Sequence, residues 1–359
     1  MEKNLEDEPS CTKQDITSTD QLVAGVLPRV GSTIPVQYKV DPNGDAVATE
    51  WQILGYNASI PSRIRYKSDS GNIVYVSTTS SGLLADIANG TAVYADKTTE
   101  TQLGTVSGTS GVTKTTTFGG SHTYGNLTPY DAPTTVTVNG TVYTFAGYNV
   151  TIQSRAILGC KYSGTVYYTA VWNNQNFSNA WSDSWIRSWM NQSGAVSGQT
   201  WYDKNWSSGS SQGNIVGLLS RLPETDFLDS IVPTVNRTWV HSFWRNGKTI
   251  SNEAEHVVDR FWALGNGNVN YNPLWLKDYA YDTSVFSSIF PSTAQTSTDR
   301  IRYLMNEDGS IDFGSAWHWW LRSAISDGSF NAGAVFTDGG VNYSDVSYYN
   351  GLLPVCTIG

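Results

Sequence analysis

The chain is short of charge and of long apolar runs. Only 15% of its 359 residues are charged, and 22 Lys and Arg against 31 Asp and Glu leave a net charge of -9. Nonspecific binding to nucleic acid needs clustered Lys and Arg, and the sequence has no such cluster. No run approaches the ~18 apolar residues of a membrane-spanning helix, and charge follows Met1 where a signal peptide would be apolar. We therefore predict neither a nucleic-acid partner nor a transmembrane segment.

Motifs for catalysis and metal binding are also missing. The chain has no Gly-x-Ser-x-Gly segment and no phosphate-binding loop. Residues 306–312 imitate part of a calcium-binding loop, but Leu304 occupies the position of the first ligand. The four histidines share no metal-ligand spacing: His122, His241, His256 and His318. We therefore predict a noncatalytic protein without a metal or a cofactor.

Glycine and aromatic residues are abundant instead. The counts of 33 Gly, 14 Trp and 20 Tyr, with so few charges, are typical of a turn-rich and largely β protein. The length exceeds one typical domain of ~100 to 200 residues, which predicts two domains. We expect a flexible acidic leader at residues 1–20, a β-rich attachment domain at 21–135 and a second domain at 136–359.

A first helix is predicted near residue 185. Trp181, Trp185 and Trp189 lie four residues apart and would share one helical face, with Ser182 or Asp183 as the N-cap. This face would pack against the core.

A second helix is predicted between Pro223 and Pro233. Phe227, Leu228 and Ile231 have the spacing of its buried side, and Pro233 would end it.

The C-terminus combines two apolar motifs with a segment of restricted composition. Residues 316–323 read Ala-Trp-His-Trp-Trp-Leu-Arg-Ser, and residues 351–358 read Gly-Leu-Leu-Pro-Val-Cys-Thr-Ile. Between them, residues 324–350 contain no Lys, Glu, Gln, Met or Trp, although these five types make up 47 of the 359 residues. Codons for these five end in a purine, whereas those for Asn, Asp, Ser, Gly and Tyr can end in a pyrimidine. Asn codons randomised at their adenines would produce this pattern.

These motifs resemble the variable proteins of diversity-generating retroelements, whose C-type lectin-like domain carries a hypervariable face. More narrowly, the stretch from about residue 145 is similar to a bacterial and phage domain that ends in Trp-Trp-Leu-Arg-Ser. Residues 187–191 match its Arg-x-Trp-Leu-Asn helix except for Met190, and residues 258–264 match its middle segment. The resemblance implies an α+β fold, in which a C-type lectin-like domain with two helices and a β-rich ligand-binding half follows a β-rich N-terminal domain.

Three cysteines, Cys11, Cys160 and Cys356, provide no disulfide framework and no zinc spacing, which favours free or buried thiols. Because C-type lectin-like folds bring their chain ends together, the resemblance leaves a Cys160–Cys356 bridge as the alternative.

The resemblance also implies that a variable region at about 324–350 forms a binding face. A turn at residues 337–340 predicts a hairpin, with Val335, Val341 and Val346 facing the core. Tyr together with Asn, Ser, Gly and Asp is the usual composition of recognition loops, although an ordinary loop with its Tyr packed inward would look similar. The candidate ligand-binding residues are Ile325, Asp327, Phe330, Asn331, Phe336, Asp338, Asn342, Tyr343, Asp345, Tyr348 and Tyr349.

The Trp-Trp-Leu-Arg-Ser motif is interpreted as a scaffold. Trp319 and Trp320 would anchor the variable region, and Arg322 would bind loop carbonyls. A platform on which a ligand stacks is the alternative.

We therefore expect a display protein, an adhesin or a phage receptor-binding protein, whose partner is a host or cell-surface protein or glycan. The N-terminal domain would join it to a surface or virion assembly. The acidic start is similar to a bacterial surface lipoprotein without its signal peptide, and equally suits a phage protein. A binding protein of fixed carbohydrate or cell-wall specificity, or a structural fibre subunit, is the competing hypothesis.

Overall fold

The described part of the chain is mainly β. The computed structural model describes residues 17–23, 28–56, 61–80, 83–84, 87–110, 133–147, 149–173, 179–205, 214–245, 248–265, 289–290, 296–324 and 330–359. The strands, numbered along the chain, are β1 Thr33–Tyr38, β2 Val47–Tyr56, β3 Arg63–Ser68, β4 Ile73–Ser77, β5 Thr79–Ser80, β6 Leu83–Leu84, β7 Ala92–Tyr94, β8 Gln102–Ser110, β9 Thr135–Val138, β10 Thr141–Phe145, β11 Val150–Ser154, β12 Ala156–Ile157, β13 Cys160–Tyr162, β14 Thr165–Val171, β15 Trp201–Asp203, β16 Thr234–Arg245, β17 Lys248–Asp259, β18 Phe261–Trp262, β19 Arg302–Met305, β20 Ile311–Trp317, β21 Trp319–Ala324, β22 Asn331–Val335, β23 Val341–Asp345, β24 Tyr349–Gly351 and β25 Val355–Ile358. The helices are α1 Thr19–Val23, α2 Trp185–Met190 and α3 Thr225–Ser230, with 3-10 turns at Trp181–Asp183, Leu218–Arg221 and Thr298–Arg300.

A five-stranded sheet joins distant parts of the chain in the order β1-β2-β11-β25-β18. Its middle strand, β11, pairs antiparallel with β2 on one side and with β25 on the other. In β1 the buried Ile34, Val36 and Tyr38 alternate with half-buried residues, as expected for a strand with one face on the core. The sheet therefore brings N-terminal and C-terminal strands into one core.

A closed barrel forms a second unit. Its strands follow the order β10-β3-β4-β7-β8-β9, and β10 closes the ring against β3. Alternating residues such as Ile64, Tyr66, Val74 and Val76 point inward and form a core of their own. Closure pairs the strands on both sides, which removes open sheet edges.

The two cores divide the chain differently from the predicted boundary at 135/136. β1 and β2 share the larger core with residues from 150 to 358, and the barrel lies between β2 and β11 in sequence. The β9–β10 hairpin crosses the predicted boundary to complete the barrel. These pairings could not be read from the sequence, because the choice of pairing partner is not encoded in a strand's own pattern. Of the predicted leader 1–20, residues 1–16 lie outside the described residues, and Thr19 begins α1.

The predicted α+β class, with a C-type lectin-like domain built on two helices, is wrong. The described residues contain only short α-helices of five or six residues among many strands. Ser184 has an extended backbone, which separates the turn Trp181–Asp183 from α2. Its side chain also accepts the capping hydrogen bond from the Arg187 amide, a role that we predicted for Ser182 or Asp183. Trp185 and Trp189 therefore share α2 as predicted, whereas Trp181 lies in the preceding turn.

A seven-stranded sheet carries the C-terminal motifs. Its order is β13-β14-β24-β21-β22-β23, and β15 pairs with β14. The predicted hairpin is confirmed, since β22 and β23 pair antiparallel with Val335 opposite Val341. Val335 and Val346 are buried, and Val341 is half-buried against the core. β23 is the edge strand of this sheet, so its outward side chains reach solvent.

Candidate ligand-binding site

Two of the motif segments meet at one buried carboxylate. Asp259 accepts hydrogen bonds from Arg187 Nε at 2.7 Å, from Trp181 Nε1 at 2.9 Å and from Asn236 Nδ2 at 2.9 Å. Burial raises the pKa of the Asp259 carboxyl, while the charge of Arg187 and the donated hydrogen bonds act in the opposite direction. The segment 187–191 and the segment 258–264 are thus linked through one ion pair.

Asn191 adds a second link between the same segments. Its side-chain oxygen accepts hydrogen bonds from the Arg260 amide at 2.9 Å and the Phe261 amide at 3.0 Å. Its side-chain nitrogen donates to the Phe261 carbonyl at 2.7 Å. The C-terminal end of α2 is therefore fixed to β18.

The Trp-Trp-Leu-Arg-Ser motif lies in the buried strand β21, which pairs with β22 of the C-terminal hairpin. Trp319 Nε1 donates to the Arg300 carbonyl at 3.0 Å, and Trp320 Nε1 donates to the Ala170 carbonyl at 2.8 Å. Arg322 Nη1 donates to the Ala263 carbonyl at 2.8 Å, the type of contact that we predicted. Both Trp side chains are at most 1% exposed, which agrees with the scaffold interpretation and leaves no ring face for a ligand.

A tight turn fixes the outer end of the hairpin. Gly339 has a φ of +75°, and a Cβ built on it would lie 1.8 Å from the Ser297 carbonyl oxygen. The Phe336 amide donates to the Gly340 carbonyl at 2.8 Å. The turn lies directly against Ser297, in the segment before β19, and only glycine fits so close to that carbonyl.

An open cavity of about 490 Å³ lies beside this hairpin and β24. Six of the eleven candidate residues line it: Asn331, Phe336, Tyr343, Asp345, Tyr348 and Tyr349. Its size falls within the range of small-ligand sites, roughly 300 to 1,000 Å³. The alternative in which the tyrosines pack inward does not describe Tyr343 and Tyr348, which are 48% and 60% exposed.

The other candidates lie elsewhere. Phe330 is 42% exposed but does not line the cavity, and Asp338 is an exposed turn residue. Asn342 is exposed on the face opposite Tyr343, because neighbouring side chains of a strand alternate. Ile325 and Asp327 lie outside the described residues.

Three further residues line the cavity that the sequence reasoning did not select: His318, Ser344 and Asn350. His318 comes directly before the Trp-Trp-Leu-Arg-Ser motif that we interpreted as scaffold, and its ring stacks on Phe336 with centroids 4.6 Å apart. Ser344 and Asn350 lie next to the selected Tyr343 and Tyr349. For Ser344 and Asn350, this position beside a candidate aromatic residue is the feature of the sequence that could have identified them. His318 has no such neighbour.

Aromatic contacts and burial shape the electrostatics of the cavity. Burial lowers the pKa of His318, and the nearby charge of Asp338 acts in the opposite direction. The ring centroids of Tyr349 and Tyr202 are 4.0 Å apart, and burial raises the pKa of Tyr349. Asp345 is the only carboxylate among the described lining residues, and none of them is Lys or Arg. The cavity therefore suits a neutral or cationic ligand better than an anion.

The two cysteines among the described residues are free thiols. Cys160 and Cys356 are free and buried, so the alternative of a bridge between them does not hold. Burial raises the pKa of both thiols, which keeps them protonated and unreactive at neutral pH. Cys11 lies outside the described residues. Within the same ranges no three His, Cys, Asp or Glu side chains converge as metal ligands.

Comparison with known proteins places the chain in a family. The family model described as "Domain of unknown function (DUF6273)" matches residues 149–359, more than half of the chain, and the chain belongs to this family. The matched region begins one residue before β11, close to the start of the resemblance seen in the sequence. No curated protein and no solved structure matches the chain. Along the described residues, no helix is long and apolar enough to cross a membrane.

Proposed function

We propose that this chain is a noncatalytic ligand-binding display protein whose ligand enters the cavity between the β22–β23 hairpin and β24. The observation that carries the proposal is the convergence of Asn331, Phe336, Tyr343, Asp345, Tyr348 and Tyr349 on one open cavity. Tyr contributes rigid amphipathic contact area, and Asn and Asp contribute adaptable hydrogen bonds. An exposed aromatic cavity of this kind is a typical binding site for a protein loop or a glycan.

We further propose that a retroelement diversifies this surface. The support is that the hairpin is held by its backbone and by small buried side chains. The Val346 amide donates to the Phe330 carbonyl at 2.7 Å, and Ala332 and Ala334 are fully buried. Tyr343 and Tyr348 make no hydrogen bond through their hydroxyls among the contacts of the described residues. Exchange of such exposed side chains would cost little stability.

A fixed-specificity carbohydrate or cell-wall binding protein is the second candidate. A sugar ring can stack on a Tyr face and hydrogen-bond to Asn331 and Asp345, so the same lining supports it. The gene separates the two hypotheses. A neighbouring reverse transcriptase and an imperfect repeat of codons 324–350 that differs only at adenines would establish diversification, and their absence would favour the fixed ligand.

The barrel is the proposed attachment module. It has its own core and is inserted between β2 and β11. It can therefore contact an assembly without disturbing the seven-stranded sheet that carries the cavity. The assembly would be a bacterial cell surface, reached as a lipoprotein, or a phage virion.

The binding test combines Tyr343→Ala with Tyr348→Ala. Both rings are about half exposed, so we expect loss of at least about tenfold in affinity with a nearly unchanged melting temperature. Ligands would come from a glycan array and from a panel of intact bacterial cells, and affinity would be measured by biolayer interferometry.

The matched control replaces two exposed apolar residues of the barrel, Leu103→Ala and Val142→Ala, which are 50% and 56% exposed. This variant should bind as the wild type does. Equal binding by the Tyr343, Tyr348 double variant would place the ligand elsewhere, and a large fall in its melting temperature would show that the rings stabilise the fold.

A further inference from the structure

A second cavity lies away from the first and is lined by different types of side chain. Its volume is about 240 Å³, and it lies where β2, β19 and β20 meet the turn Thr298–Arg300. Its lining is mainly polar and includes Gln52, Arg155, Asp299 and Arg302. Ile311 and the exposed ring of Phe313 are among its apolar residues. It shares no lining residue with the aromatic cavity.

Arg302 is a buried cation that forms no ion pair among the described residues. Its side chain is 6% exposed. Its hydrogen bonds leave from Nη1, to the carbonyls of Asp299 at 2.9 Å and Ile301 at 3.0 Å, while its buried Nε has no partner. The ring of Phe290 lies 5.5 Å from Cζ, so one face of the guanidinium is covered by an aromatic group.

The charges around Arg302 leave its positive charge only partly balanced. Burial and the positive charge of Arg155 lower the pKa of Arg302 to about 10, and Asp299 offsets this only in part. Asp299 already uses one carboxylate oxygen to accept from Ser297 Oγ at 2.8 Å. Arg155 forms an exposed ion pair with Glu50 at 2.9 Å. A buried charge without a partner costs several kcal/mol, and an anion in the adjoining cavity would offset that cost.

We propose that this cavity binds the carboxylate of a small organic acid, with Arg302 as its principal cation and Arg155 as a second. The planar guanidinium matches a carboxylate in shape and charge. Contacts with Ile311 and Phe313, which also line the cavity, favour an organic acid over an inorganic anion. The site is independent of the proposed display function, because none of its residues belongs to the variable segment.

Benzoate is the probe, and benzamide is its neutral control of the same shape. Calorimetric titration of the full chain at constant ionic strength should show benzoate binding at least about tenfold tighter than benzamide, since hydrogen bonds to a charged group are the stronger ones. Inorganic phosphate should bind more weakly than benzoate because it has no apolar group to contact Ile311 and Phe313. In NMR spectra, the Nε–Hε signal of Arg302 should move as benzoate is added.

The variants locate the site. Arg302→Gln should lose about tenfold or more in benzoate affinity, and Arg155→Gln, an exposed position that does not threaten folding, should lose affinity to a smaller extent. Arg65→Gln, at an exposed arginine of the barrel, should bind as the wild type does. Equal affinities for benzoate and benzamide, no binding of benzoate, or the same affinity in Arg155→Gln as in Arg65→Gln would each overturn the proposal.

Discussion

At the scale of single residues, exposure and backbone conformation separate binding residues from structural ones. Tyr343 and Tyr348 lie on the same short segment as Ser344 and Val346, yet the first two are exposed and the last two are buried. Substitution of an exposed ring removes contact area for a ligand, whereas substitution of a buried neighbour removes packing. Exposure therefore decides which substitutions in this segment test binding and which test packing.

Gly339 provides a prediction at this scale. Gly339→Ala should lower the free energy of unfolding by about 2 kcal/mol or more, because a left-handed backbone already costs ~1 to 2 kcal/mol for a residue with a Cβ. The contact with the Ser297 carbonyl, 1.8 Å from the added Cβ, increases that loss. Urea denaturation followed by tryptophan fluorescence would measure the change.

Gly164→Ala is the matched control. Gly164 also has a positive φ, +82°, but nothing lies within 4 Å of the added Cβ. Gly164→Ala should therefore lower the free energy of unfolding only by the ~1 to 2 kcal/mol that a left-handed backbone costs. If the two variants lose the same stability, the turn at 337–340 is not pressed against Ser297.

At the scale of elements, polar links between segments far apart in sequence hold the short helices in place. A helix of six residues such as α2 has little stability of its own, because helix formation needs a costly nucleus. The Asp259 carboxylate and the Asn191 side chain fix it to β17 and β18. Trp172 connects these contacts to the seven-stranded sheet. Its ring packs against those of Trp181 and Trp320, with centroids 5.7 Å and 5.4 Å apart.

Removal of the buried carboxylate tests this link. Asp259→Ala should cost about 3 to 5 kcal/mol, since it leaves Arg187, Trp181 Nε1 and the Asn236 amide without their acceptor. Guanidinium chloride denaturation would measure the loss. The double variant with Arg187→Ala should lose less than the sum of the single variants, because it removes the uncompensated charge.

Glu50→Ala removes the partner of an exposed ion pair with Arg155 and should cost under about 1 kcal/mol. A loss as large as that of Asp259→Ala would mean that burial does not decide the strength of these pairs.

At the scale of the whole molecule, the family domain is completed by strands that precede its matched region. β2 pairs with β11, and Trp51 packs edge-on against Phe227 and Phe261, each with ring centroids 6.3 Å apart. The barrel interrupts this unit in sequence and has a separate core. The described residues within 28–56 and 149–359 therefore form one structural unit.

Two shortened chains test this division. A chain of residues 149–359 should fail to unfold cooperatively, because β11 loses its neighbour and the core loses Trp51. A chain in which a short Gly-rich turn replaces residues 57–148 should fold, since Tyr56 and Val150 are direct partners in the sheet.

Tryptophan fluorescence reports on this unit alone, because none of the 14 Trp lies between residues 57 and 148. Equal thermal midpoints for the two shortened chains would show that β1 and β2 contribute nothing to the core.

The resemblance pointed to six of the residues around the cavity. The local pattern of the sequence determined the strand-rich character, the hairpin of β22 and β23, and the buried Trp319 and Trp320. These follow from alternation, turn chemistry and side-chain type, which act over a few neighbouring residues. Tertiary structure alone decided that β2 and β25 flank β11, that the barrel is an insertion, and that His318 and Asn350 join the site. Those outcomes depend on pairings between segments far apart along the chain, and a strand's own residues do not specify its partner.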